Sequence, residues 1–309
     1  MTIITTAADK DQSCSLPLLR TLWLDSNHLM PHTILCPVDF SSSSANALEY
    51  AIEFGSGRTS EIVLLNIFSI PVASADAFVF VPGPEEIEEI RNAYQARMDE
   101  WLQKYRPAMK AGMSLSGHVR YGEPTNEILL MARDIKPDLL VMGLQGEGFI
   151  KERIIGSTAT QLMTEYEGPL MVVPSECRYK PIHKIVFFYD GKDFKDEHVL
   201  SPLVETADAH NAGISVCTIV PELKEFPEVS DKLVSESLQP SLANREGISF
   251  KIVQSNHFLE GAEKFMEENG ADLVFVVKRK HSFLDALFRK GHSKLLAFHT
   301  TVPLLSSLD

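Results

Sequence analysis

The chain repeats itself, and this repetition constrains its fold more than any other feature. His183-Lys184-Ile185-Val186-Phe187-Phe188-Tyr189-Asp190 parallels His32-Thr33-Ile34-Leu35-Cys36-Pro37-Val38-Asp39. Residues 214–220 parallel 62–68, Ala271-Asp272 parallels Pro137-Asp138, and Val302-Pro303 parallels Gly168-Pro169, the last two pairs aligning without an insertion. Each segment is a short apolar run of the kind that makes a strand buried on both faces. Repetition on this scale means one unit built twice.

Helical patterns fill the gaps between these strands. In the first unit the serine run at 41–44 caps an amphipathic stretch carrying Ala47, Leu48, Ala51, Ile52 and Phe54, closed by Gly55 and Gly57. After a longer excursion over 71–84, a charged helix is predicted over 85–105, with Ile87, Ile90, Tyr94, Met98, Trp101 and Leu102 on its apolar face. Residues 114–121 predict a strand, Pro124 suits the first turn of the next helix, and Pro137 ends it. Strands alternating with helices make a parallel α/β sheet. Residues 1–29 fit no element and are read as a poorly ordered extension, without the pattern of a signal peptide. The units are then 30–175 and 182–309, joined by a linker.

The densest chemistry lies at 138–158. An apolar run ends at Gly143 and continues through Gly146 and Gly148 to Gly156-Ser157-Thr158, where a helical face of Ala159, Leu162, Met163 and Tyr166 begins. Glycines let a backbone approach a phosphate, and the N–H groups of such a loop and of the next helix point at an anion. Ser157 is the predicted N-cap, and Ser157 and Thr158 can add hydroxyl donors. The spacing matches neither the dinucleotide fingerprint nor a P-loop. The competing reading is a glycine-rich strand-to-helix connection that binds nothing. Lys151 and Arg153 lie in the same loop, either as neutralising charges or as solvated ones.

Composition excludes several classes. With 309 residues and a net charge of −13, the chain is an unsuitable general binder of nucleic acid or anionic membrane. No apolar run reaches the length of a membrane span. Four cysteines without a Cys-x-x-Cys spacing argue against a zinc site or disulfide framework and fit a reducing cytoplasm. The histidines, His281, His292 and His299 included, show no metal-ligand spacing on one helix face, and no Ser/His/Asp arrangement stands out.

The pattern Gly143-x2-Gly146-x9-Gly156-Ser157 after an Asp-Leu-Leu-Val-Met strand resembles the nucleotide-binding signature of the universal stress protein family. Pro37-Val38-Asp39-Phe40-Ser41 and the closing strand between Pro169 and Pro174 resemble the family at two further places. The sequence departs from it at Leu144-Gln145, where the family often carries a small polar residue followed by His or Arg. The resemblance extends from Pro31 onward as a tandem of two such domains. It implies an α/β fold of two doubly wound domains, each a five-stranded, mostly parallel sheet of strand order 3-2-1-4-5 with helices on both faces. It further implies ATP, with Mg²⁺ screening the phosphates, held by Pro37, Val38, Asp39, Ile67, Met142, Gly143, Gly146, Gly148, Gly156, Ser157 and Thr158. Ile67 matches a position that meets adenine through its backbone. For Asp39, capping of the following helix is the competing role. The implied function is that of an ATP-binding stress-response regulator without efficient catalysis. A nucleotide-independent scaffold and a slow ATPase are the alternatives. In the family the closing strand pairs across a two-fold axis, which implies that the two units pair within this chain as a pseudo-dimer. Dimerisation of chains is a further expectation.

The second unit departs from the signature throughout. Alignment of Asp138 with Asp272 sets Gly143 against Val277, Gly146 against Lys280, Gly148 against Ser282 and Gly156 against Lys290. Each replacement carries a Cβ, so this unit is predicted to have lost the phosphate cradle while keeping Asp190 opposite Asp39. Lys278-Arg279-Lys280-His281, with Arg289, Lys290 and Lys294, form a basic cluster, read first as a solvated loop face and second as a surface for an acidic partner or another anion.

Overall fold

The computed structural model describes residues 32–56, 61–70, 83–144, 156–191, 194, 196–220, 238, 242, 245–279 and 302–309. The extension at 1–29, Gly146, Gly148, Lys151, Arg153 and the basic residues from Lys280 to Lys294 lie outside them. The first half runs β1 (Thr33–Pro37), α1 (Ser42–Phe54), β2 (Glu61–Phe68), α2 (Pro84–Tyr105), β3 (Ser114–Tyr121), α3 (Pro124–Ile135), β4 (Leu139–Gly143), α4 (Ser157–Glu165) and β5 (Leu170–Val173). The second half runs β6 (Lys184–Phe188), a 3-10 turn (Glu197–Leu200), α5 (Ser201–His210), β7 (Gly213–Val220), β8 (Ile248–Gln254), α6 (Phe258–Asn269), β9 (Leu273–Lys278) and β10 (Leu304–Leu308).

These strands form one continuous sheet in the order β3-β2-β1-β4-β5-β10-β9-β6-β7-β8. Each half thus has the order 3-2-1-4-5, and its strands pair in parallel. The halves meet where β5 and β10 pair antiparallel, Leu305 opposite Met171. The apolar runs pack on both faces, as their unbroken hydrophobicity requires. On one face Ala47, Leu48, Met98, Leu102, Leu203 and Ala207 bring α1, α2 and α5 onto the sheet. On the other, Ile128, Met131, Leu162, Met163, Ala262 and Phe265 bring α3, α4 and α6. The fold is a doubly wound α/β architecture.

One carboxylate tie recurs in both halves. Asp138 Oδ2 accepts from the amides of His32 and Thr33 at 3.0 Å each, tying the start of β4 to the start of β1. Asp272 Oδ2 accepts from the amides of His183 and Lys184 at 2.9 and 3.0 Å, making the same tie between β9 and β6. The linker is anchored to α1 by Asn46, whose Nδ2 donates to the carbonyls of Pro174 and Cys177 at 3.0 and 2.8 Å.

Candidate functional site

In the first half the strand order reverses between β1 and β4, and a doubly wound sheet opens its crevice at the carboxyl ends of the strands flanking such a reversal. A cleft of about 290 Å³ lies there. It brings together Pro37, Val38, Asp39, Ile67, Met142, Gly143, Gly156, Ser157 and Thr158, nine residues singled out from sequence. Ser44, Pro124, Ile128, Leu144 and Ala159 complete the walls. The sequence places Pro124 in the first turn of a helix. The position of Pro124 and Ile128 at the crevice follows from the packing of α3 beside β2, which no local pattern encodes.

The end of β1 is held firmly. The Val38 amide donates to Leu65 O at 2.9 Å, and the buried Asn66 Nδ2 donates to Val38 O at 2.8 Å. Asp39 Oδ1 accepts from the Ser41 amide at 3.0 Å. The cap of α1 is Ser41, whose side chain accepts from the Ser44 amide, so the capping role weighed for Asp39 belongs to its neighbour.

At the other wall the expected N-cap is corrected. Gly156, not Ser157, is the N-cap of α4, and Ser157 is the first helical residue. Gly156 has no side chain to turn back as a cap on the first-turn amides of α4. The Gly156 amide donates to Leu144 O at 2.9 Å, which fixes the two ends of the 145–155 segment against each other. Gly143 has a separate reason to be glycine. A Cβ there would lie 2.5 Å from Ser43 Oγ and 3.0 Å from its carbonyl oxygen, so the start of α1 occupies that space.

In the second half Asp190, the counterpart of Asp39, is engaged by a side chain of its own half. Arg279 Nη1 pairs with Asp190 Oδ1 at 3.1 Å and Nε with Asp309 Oδ2 at 2.9 Å, all three side chains being at most 9% exposed. The guanidinium carbon stands 4.5 Å from the Phe194 ring centroid. Lys278 is 5% exposed, and its Nζ donates to Tyr166 O at 2.6 Å. The reading of Lys278 and Arg279 as a solvated loop face is therefore wrong for both. Asp190 and Asp309 for Arg279, and the Tyr166 carbonyl for Lys278, are partners that local charge counting could not foresee.

The fold and cleft define a doubly wound α/β protein with the N-terminus of a helix at its switch point. Residues 30–174 match the sequence profile of the universal stress protein family, and this segment is a universal stress protein domain. A universal stress protein of Methanocaldococcus jannaschii is 25% identical over 155 residues, covering 47% of this chain and 96% of the relative. Universal stress protein YxiE of Bacillus subtilis is 27% identical over 148 residues, 47% of this chain and 99% of its own. The crystal structure of a universal stress protein from Archaeoglobus fulgidus aligns with a TM-score of 0.65 at 16% identity, covering 89% of this chain and 96% of that one, a likeness of fold. No helix among the described residues is long and apolar enough to cross a membrane.

Proposed function

We propose that the first half binds an adenine nucleotide, ATP with Mg²⁺ neutralising its phosphates, and that occupancy tunes conformation or partner binding rather than driving turnover. The observation that carries this reading is the convergence of Asp39, Ile67, Met142 and the glycine-led first turn of α4 on one cleft. Amides at a helix N-terminus are anion ligands. Asp39, across the cleft, offers a carboxylate to ribose or adenine donors. The second half would bind none, because Arg279 already occupies Asp190. A second copy of the chain as partner would use a surface other than the β5·β10 seam, which is filled within the chain. Buried free thiols at Cys36 and Cys217 suit a reducing cytoplasm.

One observation favours the scaffold alternative. The bareness of Gly143 is accounted for by Ser43, so that glycine is not by itself a sign of a ligand. Calorimetric titration of Mg-ATP into the full chain separates the readings, with saturation expected near one nucleotide per chain. Gly156→Asp sets a negative charge at the head of α4 and should abolish binding with an unchanged far-UV dichroism spectrum. Absence of ATP affinity in the wild type would leave the nucleotide-independent scaffold.

A further inference from the structure

Lys278 is a buried amine that the cleft does not contain, yet it ends on the helix that edges the cleft. It is the last residue of β9, and its Nζ donates to the carbonyl of Tyr166, the C-cap of α4. The last carbonyls of a helix have no partner within it. Tyr166 leaves α4 with φ −75° and ψ 126°, so the chain makes no left-handed turn that would return an amide to them. A cation at this end also complements the negative end of the helix dipole. The anchor itself is fixed: Lys278 pairs with Leu308 in the sheet, and its carbonyl accepts from the Asp309 amide at 3.0 Å. The next residue is Arg279, locked between Asp190 and Asp309.

We infer that Lys278 is a positioning residue for the nucleotide cleft: from the second half it holds the C-terminal end of α4, and through that helix the aim of the amides of Ser157, Thr158 and Ala159. The helix has nine residues, about 13 Å at 1.5 Å per residue, too short to absorb a displacement of one end before the other. The device is one-sided, because the residue aligned with Lys278 is Leu144, which carries no charge. The inference rests on the proposed anion site at α4.

The charge on Lys278 gives the test its signature. Burial pulls the amine down to about 8, against the opposing pull of Glu167 beyond α4. Tyr166, whose carbonyl it binds, has its phenol pushed up to about 12 by burial and by Asp138, and the next residue along the chain, Arg279, carries its two aspartates. Lys278 therefore carries its charge at neutral pH and loses it as pH rises through about 8. Mg-ATP affinity would be measured by calorimetry on the full chain from pH 7 to 9.5, for the wild type, Lys278→Met and Lys278→Arg. At pH 7 Lys278→Met should bind about five- to tenfold more weakly, the range of a modest coupling between sites. Wild-type affinity should fall part of the way towards that of Lys278→Met through about pH 8, because the neutral amine keeps its N–H donors and loses only the charge. Lys278→Arg, charged throughout, should keep the neutral-pH affinity without the fall. If Lys278→Met does not fold, the wild-type and Lys278→Arg profiles still decide. Equal affinity and parallel profiles in all three proteins would overturn the positioning role while leaving the nucleotide site intact. No ATP uptake by the wild type at any pH would remove both.

Discussion

Directly after Asp39 the backbone turns left-handed at a residue with a full aromatic side chain, Phe40, at φ 64°. A non-glycine residue there costs about 1–2 kcal/mol. The aligned residue of the second half, Gly191 at φ 74°, takes the same turn without that cost. Phe40 is held by α2: its ring lies edge-on to Trp101 at 5.3 Å, and the Arg97 guanidinium carbon is 4.6 Å from its centroid. Strain kept at the wall of a cleft and secured from outside is a recurrent property of binding sites. The prediction is a reversal of the usual order of alanine and glycine. Phe40→Ala loses the aromatic contacts and keeps the strained Cβ, whereas Phe40→Gly loses both. Urea unfolding should place Phe40→Gly about 1 kcal/mol above Phe40→Ala. Equal stability would mean that the turn stores nothing. The sequence aligned Asp39 with Asp190, but Pro-Val-Asp-Phe-Ser contains no glycine to mark the turn, so it was not legible.

Between β4 and α1 the closest approach is at Gly143, and a substitution there tests packing rather than binding. Gly143→Ala would put its Cβ 2.5 Å from Ser43 Oγ and 3.0 Å from Ser43 O. The hydroxyl can be removed but the backbone cannot, so α1 must shift, at a cost of about 1–3 kcal/mol. Adding Ser43→Ala should recover only part of that loss in chemical denaturation. Complete recovery would show that the hydroxyl alone opposes the Cβ. Elements of this kind were largely readable. The apolar runs at 33–36, 62–68 and 170–173 predict β1, β2 and β5 to within a residue at either end. The charged pattern predicts α2 because Met98 and Leu102 must be buried while the glutamates need not be. What the pattern could not supply is which residue caps α4, since serine and glycine both serve and the choice depends on the tie from Gly156 to Leu144 O.

Across the whole molecule the sheet is continuous, so the core on each face runs across the seam at β5 and β10, and the edges of that seam create a second cleft. This cleft, of about 340 Å³, is lined by Phe54, Asp138 and Pro169 from the first half and by His198, Glu205 and Leu305 from the second. Periodicity marks the closing strands as apolar runs, but a groove between distant segments has no local signature. Within it burial, then Asp138, then Asp208 push the Glu205 carboxyl up to about 7. An unfolded glutamate ionises near 4.5. Below that pH both states hold the proton, and Glu205 contributes its full share of stability. Between about 4.5 and 7 the unfolded chain releases the proton while the fold retains it, so that share is lost as pH rises, and above about 7 the loss is complete. The general self-repulsion of a chain with net charge −13 follows the same direction, so the comparison must be differential. Glu205→Gln keeps the neutral side chain at every pH. Its thermal midpoint should match that of the wild type near pH 4.5 and exceed it at pH 8, by a modest margin because solvent reaches Glu205. A constant difference across that range would show that the carboxylate at the seam ionises as freely in the fold as in the unfolded chain.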